Sequence, residues 1–188
     1  MFNHIIKKML GNIRNLIEHR ELLFYLSMKD FKVRYKSAVL GFLWALLMPL
    51  SMMVIFTIVF SFIVRIPVEN YPVFLLAGLI PWTFLNMSLS TAINSFVDNG
   101  NLIKKVKFPR ELVPISVVLA NLVNFLLSLI VLFLFILLFN IKLTTAIILL
   151  PFIIVIQLIF IAGISLILSS LNVQYRDVRY ITEVVLML

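Results

Sequence analysis

Four long stretches of this chain contain no Asp, Glu, Lys, Arg or His: Ser37–Val64, Asn70–Val97, Leu112–Ile141 and Leu143–Tyr175. Each exceeds the roughly 20 residues with which a helix crosses a hydrocarbon core about 30 Å thick. One such run fits the core of a soluble protein, but four in succession do not. With 63% of its 188 residues hydrophobic and 13% charged, a globular body cannot hide its apolar surface, so lipid must be the solvent. The runs are continuous rather than alternating, which argues against a membrane barrel. The expected fold is all-α, a polytopic transmembrane helical bundle. Complete spans are expected at about 38–64, 71–97, 112–139 and 144–171, with the start of a fifth at 181. That last run, Ile181–Leu188, reaches only about 12 Å as a helix, and the natural chain is expected to continue beyond it.

The connections orient the bundle. Lys7, Lys8, Arg14, Arg20, Lys29, Lys32, Arg34 and Lys36 precede the first run. Lys104, Lys105, Lys107 and Arg110 follow the second, and Arg176 and Arg179 follow the fourth. Of the 16 Lys and Arg, only Arg65 and Lys142 fall in the remaining connections. Lys and Arg are retained on the cytoplasmic side, which sets the N-terminus inside. The net charge of +8 therefore belongs to a membrane surface, and nucleic acid is not an expected partner. The external loops are too short to form a domain that captures substrate. There is no cysteine, hence no disulfide and no thiolate metal site.

Residues 1–36 form a separate cytoplasmic or interfacial segment, ahead of a membrane domain over 37–188. Ile6, Leu10, Ile13 and Ile17 recur at three- and four-residue spacing, and Glu21–Lys36 mixes Leu22, Phe24, Phe31 and Tyr35 with cations. Such amphipathic helices lie along lipid headgroups, although a solvated tail has the same charge density. Between the second and third runs, Asp98 and Asn99 are placed to cap a short helix over Asn101–Lys107. Its Lys104, Lys105 and Lys107 suit the negative C-terminal end, and Phe108 is expected to expose an aromatic beside them. A basic inside loop with good helix punctuation reads the same way; a force-transmitting contact also needs such a helix. Pro109 is expected in the first turn of the third span.

What the runs lack limits the chemistry. No complete run holds an ionisable group, which disfavours a proton-coupled carrier. The scattered glycines open no phosphate-binding loop, so an uphill pump of this build needs a separate energy-converting partner. No catalytic residue and no metal site is expected. Uncharged polar residues do occur: Asn86, Ser90 and Asn94 share one helical face, and Ser116, Ala120, Asn124 and Ser128 share another. These stripes serve close helix packing or a path for a hydroxyl-rich solute, and spacing does not separate the two. Pro49, Pro81 and Pro151 fall inside runs, and a break or kink is expected at Pro81.

The run Asp30–Pro49 (DFKVRYKSAVLGFLWALLMP), Pro81-Trp-Thr-Phe84, Asn101–Pro114 (NLIKKVKFPRELVP) and Tyr175-Arg-Asp-Val-Arg-Tyr180 resemble the ordered motifs of ABC-type polysaccharide export permeases. These export O-antigen, teichoic acid or capsule, and the resemblance covers essentially Lys29–Leu188. It implies six spans, a permease homodimer in the bacterial cytoplasmic (inner) membrane, and export of a lipid-linked polysaccharide or polyol-phosphate polymer. It also implies a separate nucleotide-binding ATPase subunit that holds the ATP and Mg, with no cofactor in this chain. Asn101, Leu102, Lys104, Lys105, Val106, Lys107 and Phe108 would then form the ATPase-coupling loop. Asp30, Lys32, Arg34, Tyr35 and Lys36 would form an interfacial gate helix, and Tyr175, Arg176, Asp177 and Arg179 a second cytoplasmic loop. Trp44, Phe56, Phe60, Trp82, Asn86, Ser90 and Asn94 are candidates for the translocation path, since aromatic faces stack on sugar rings; lipid-belt positions suit these aromatics equally. A membrane enzyme or an assembly subunit acting on lipid-linked glycans is the alternative.

Overall fold

A computed structural model of the chain describes residues 18–35, 43–63 and 70–187, all of whose regular elements are helical. The stripe at Ile6, Leu10, Ile13 and Ile17 lies outside the described residues, as does Lys36. The described helices are α1 (Arg20–Tyr35), α2 (Leu43–Thr57, continued as a π-helix over Ile58–Ile63) and α3 (Tyr71–Ala92). The short α4 (Ser95–Asp98) and α5 (Gly100–Lys105) follow, then α6 (Leu112–Leu138), α7 (Leu150–Gln174) and α8 (Asp177–Met187). Three helical stretches, Tyr71–Ala92, Leu112–Leu138 and Ile147–Gln174, are long and apolar enough to cross a membrane. A shorter apolar helix covers Leu46–Phe60.

Local chemistry sets several helix ends. Asn70 precedes α3 with a left-handed φ of 51°, which Asn tolerates better than most residues. Its carbonyl accepts from the Val73 and Phe74 amides, and Pro72 in the first turn sacrifices no needed donor. At the end of α6, Asn140 is again left-handed, with φ 51°. Its amide donates to Leu137 O at 3.1 Å and the Ile141 amide to Ile136 O at 3.0 Å, the paired bonds of a Schellman ending. Pro151 belongs to the first turn of α7 rather than to a span interior, so its missing donor disturbs nothing. Pro109 instead lies ahead of α6, where its carbonyl accepts from the Leu112 amide, and Pro114 occupies the first turn.

Pro81 does not break α3, which is helical on both sides of it. The interruption comes later, at Ile93 and Asn94, so α3 stops five residues short of the expected 97. Asn172 of α7 fills that break: its Nδ2 donates to Ile93 O at 3.0 Å and to Asn94 Oδ1 at 3.3 Å. Gln157 Nε2 donates to Pro81 O at 2.9 Å, a second polar link between α7 and α3.

The second helix of membrane length, α6, is the hub, packed against α1, α2, α3, α4 and α7. Leu76, Ile80, Val118 and Ile161 are buried where α3, α6 and α7 meet. The inner face of α7 presents Ile161, Ser165, Ser169 and Asn172, small or polar residues that let backbones approach. Its outer face exposes Phe152, Ile153, Ile156, Ile159 and Phe160, a composition suited to lipid. Several span hydroxyls satisfy themselves on their own helix; Thr91 donates to Met87 O at 2.6 Å and Ser128 to Asn124 O at 3.0 Å.

Candidate functional site

A cavity of about 610 Å³ lies between α2, α3 and α6. Trp44, Met48, Met52 and Phe56 recur every four residues and line it from one face of α2. Trp82, Thr83, Asn86 and Met87 of α3 form a second wall, and Asn121, Asn124 and Ser128 of α6 a third. Phe84 and Phe125, also in its lining, stack across α3 and α6 with ring centroids 4.8 Å apart and planes at 23°. Trp44 is 52% exposed and Trp82 45%, so their rings stay available to a visitor. Asn121 Nδ2 donates to Thr91 Oγ1 at 3.0 Å, pinning α6 to α3 beside the space.

Of the seven expected path residues, Trp44, Phe56, Trp82 and Asn86 meet at this cavity. Phe60 packs instead toward Phe56 and Tyr71, at 6.0 and 6.4 Å between centroids. Ser90 stands one turn below Asn86 and donates to its Oδ1 at 3.3 Å, and Asn94 is engaged by Asn172. Sequence reasoning missed Met48, Met52 and Asn121, and left Asn124 and Ser128 open between helix packing and a path. Asn124 and Ser128 were visible as part of a small-residue stripe, but their facing wall on α2 and α3 was not.

One end of the bundle gathers α1, α4, α5 and the N-terminus of α6. Leu26 buries α1 against α6, while Phe24, Tyr25 and Val33 are exposed. Ser116 donates to Asp30 Oδ2 at 3.4 Å, and Lys29 Nζ donates to Asn99 Oδ1 at 3.0 Å. The Asn99 amide nitrogen turns back to Ser95 O at 3.0 Å. Asn99 therefore does not cap α5 through its side chain, contrary to expectation, because both ends of its carboxamide are otherwise engaged. The short helix spans Gly100–Lys105 rather than 101–107, and Val106 is extended. Lys104, Lys105 and Lys107 are exposed, as expected, but Phe108 is half-buried and Val106 is the exposed apolar side chain, at 49%. Lys32 is exposed, and Arg34 and Tyr35 fall in the last turn of α1.

Tyr175 and Arg176 form the turn between α7 and α8, and Asp177 opens α8 with a negative charge in its first turn. Arg179 Nε donates to Glu183 Oε1 at 2.9 Å, and that hydrogen bond and charge raise the Arg179 pKa above its ordinary value.

The family described as ABC-2 type transporter matches residues 21–188, which takes in α1, the cavity, α5 and α8. The chain belongs to the ABC-2 type transporter family. Its relatives include the O-antigen export system permease protein RfbA of Myxococcus xanthus, 34% identical over 175 residues, 93% of this chain and 67% of that protein. Two Klebsiella pneumoniae proteins of the same name are 36% identical over 169 residues, covering 89% of this chain and 65% of each relative. The chain thus spans about two thirds of the length of these relatives. Membership of the ABC-2 type family, with three helices of crossing length, makes this a multi-pass membrane protein.

Proposed function

We propose that the chain is the membrane permease of an ATP-driven exporter that moves a lipid-linked polysaccharide across the cytoplasmic membrane. The observation that carries this reading is the cavity of about 610 Å³, with half-exposed Trp44 and Trp82 and carboxamides on its walls, inside a chain of the ABC-2 type family. Unaided, a hydroxylated chain pays heavily to enter hydrocarbon, whereas this wall offers ring faces for stacking and amides for hydrogen bonds. The relatives named as O-antigen export permeases support the substrate class. Residues 38–64, 71–97, 112–139 and 144–171 supply four crossings in this reading, and α8 begins a fifth. The distribution of Lys and Arg supports a cytoplasmic N-terminus.

Energy enters through a separate ATPase that binds ATP and Mg and docks on Asn101–Phe108, while a second permease copy completes the pathway. The Lys29–Asn99 hydrogen bond supports a mechanical link, because it ties α1 at the membrane surface to the turn that leads into α5. Movement of the docking loop then shifts α1, and the Asp30–Ser116 contact carries that shift to the start of α6.

The test is deletion of the gene in its native host, with surface and intracellular polymer measured, alongside purification of the full-length protein from solubilised membranes. Loss of surface polymer, its lipid-linked form held inside, and co-purification of a nucleotide-binding subunit are expected. Unchanged surface polymer would sink the proposal.

A further inference from the structure

Asn86 keeps a hydrogen-bond donor that no other described residue uses. Its Oδ1 accepts from Ser90 Oγ, one turn along α3, at 3.3 Å, whereas its Nδ2 has no partner among the described residues. The side chain is half-buried, and Nδ2 is not among the unpaired polar atoms sealed from solvent. Asn124 is the contrast: both of its polar atoms are sealed, so nothing that enters the cavity reaches them. Elsewhere on the wall Thr83 donates to Ile80 O, Asn121 to Thr91 and Ser128 to the Asn124 carbonyl. Asn86 stands on the face of α3 that borders the cavity, where Leu79, Trp82, Thr83 and Met87 recur with it at three- and four-residue spacing.

We propose that Asn86 is a donor station for the oxygens of sugar units in this cavity, and that Ser90 is the positioning residue that aims it. The inference rests on the reading of the cavity as the transport path and deepens it. A carboxamide is planar, with its acceptor and its two N–H donors on opposite edges. The Ser90 hydroxyl holds Oδ1, so the N–H edge faces away from Ser90. An accessible N–H binds water until a ligand with an acceptor displaces it without losing the bond. The hydroxyls, ring oxygens and N-acyl carbonyls of sugars are such acceptors, whereas a hydrocarbon chain offers none. No Lys, Arg, Asp or Glu is among the lining residues, so the station suits a neutral sugar rather than a phosphate or carboxylate.

The experiment uses the full-length permease with its ATPase in the producing cell, and reads the cell's own polymer at the surface and, lipid-linked, inside. Asn86→Leu removes the donor, and the Ser90 hydroxyl still has a helix carbonyl one turn earlier to bond. Membrane abundance and ATPase co-purification are expected to stay normal, while surface polymer falls about fivefold, the effect of one ordinary hydrogen bond. Ser90→Ala is expected to lower export about twofold in the native background and not at all in Asn86→Leu, since it acts only through the amide. Ser90→Thr, which keeps the hydroxyl, retains most of the export. An equal loss from Ser90→Ala in both backgrounds assigns Ser90 to packing and overturns its positioning role. Full export by Asn86→Leu at normal abundance overturns the station and leaves the transport reading intact. If Asn86→Leu is depleted from the membrane, Asn86→Ala decides in the same way, and depletion of both assigns the amide to packing and overturns the station. Gene deletion without any effect on surface polymer removes the transport reading itself.

Discussion

Asn172 offers the sharpest test of how this bundle is held together. Its carboxamide reaches from α7 into the break after α3, 79 residues away in sequence, and it is 4% exposed. Asn172→Leu keeps the volume near constant but removes the donor from Ile93 O and from Asn94 Oδ1. In a soluble core, stranding a buried acceptor costs about 1–3 kcal/mol. Interhelical hydrogen bonds in membranes average only about 0.6 kcal/mol, with a maximum near about 1.7, because the separated helices find other partners. Two bonds, one of them to a carbonyl on a residue only 1% exposed, place the expected loss at about 1–2 kcal/mol. Equilibrium unfolding of the full-length protein in mixed micelles measures it. Gln157→Leu is the control, since it removes one interhelical bond, that from Gln157 Nε2 to Pro81 O. That control is expected to cost about half as much. If Asn172→Leu proves as stable as the native protein, or no worse than the control, the account of the α3 break as a plugged site is refuted.

Two further outcomes follow from the loop and turn geometry. Val106→Asp is expected to weaken ATPase pull-down by about tenfold with melting temperature unchanged, because Val106 is exposed and interface energy concentrates in a few apolar anchors. Phe108→Ala, whose ring is half-buried in its own chain, is expected to lower the melting temperature as well; the reverse pattern would make Phe108 rather than Val106 the docking anchor. Asn140→Gly is expected to be neutral or slightly stabilising, and Asn140→Val to cost about 1–2 kcal/mol in the same micelle assay, since a β-branched residue resists the left-handed ending of α6. Equal stability of the two variants would contradict that ending.

Much of this protein was legible in one dimension. Lipid demands that every backbone group pair within its own segment, so a charge-free run of sufficient length must become a helix, and α6 over Leu112–Leu138 follows from composition alone. Asn140 followed by Ile141 could in principle have been read as a helix stop, since an Asn ending depends only on local φ and ψ. Even the resemblance to export permeases rests on contiguous motifs, and it anticipated the family.

Partner choice across the bundle was decided only in three dimensions. The run 70–97 is uniformly uncharged, so nothing local marks Ile93 as its breaking point; a carboxamide on another helix makes the break tolerable. Pro81 looked like the breaking point, yet α3 passes through it and Gln157 bonds its carbonyl from 76 residues away. Asn99 looked like a cap until Lys29 and Ser95 engaged its two ends. Asn124 stood on a stripe that suited either packing or a path, and only the walls supplied by α2 and α3 set that residue at the edge of a cavity. The sequence by itself determined where helices exist, because backbone pairing in lipid is a local requirement. The tertiary structure decided which polar side chains join one helix to another, because each such bond joins groups that only the folded bundle brings within about 3 Å, roughly the reach of a hydrogen bond.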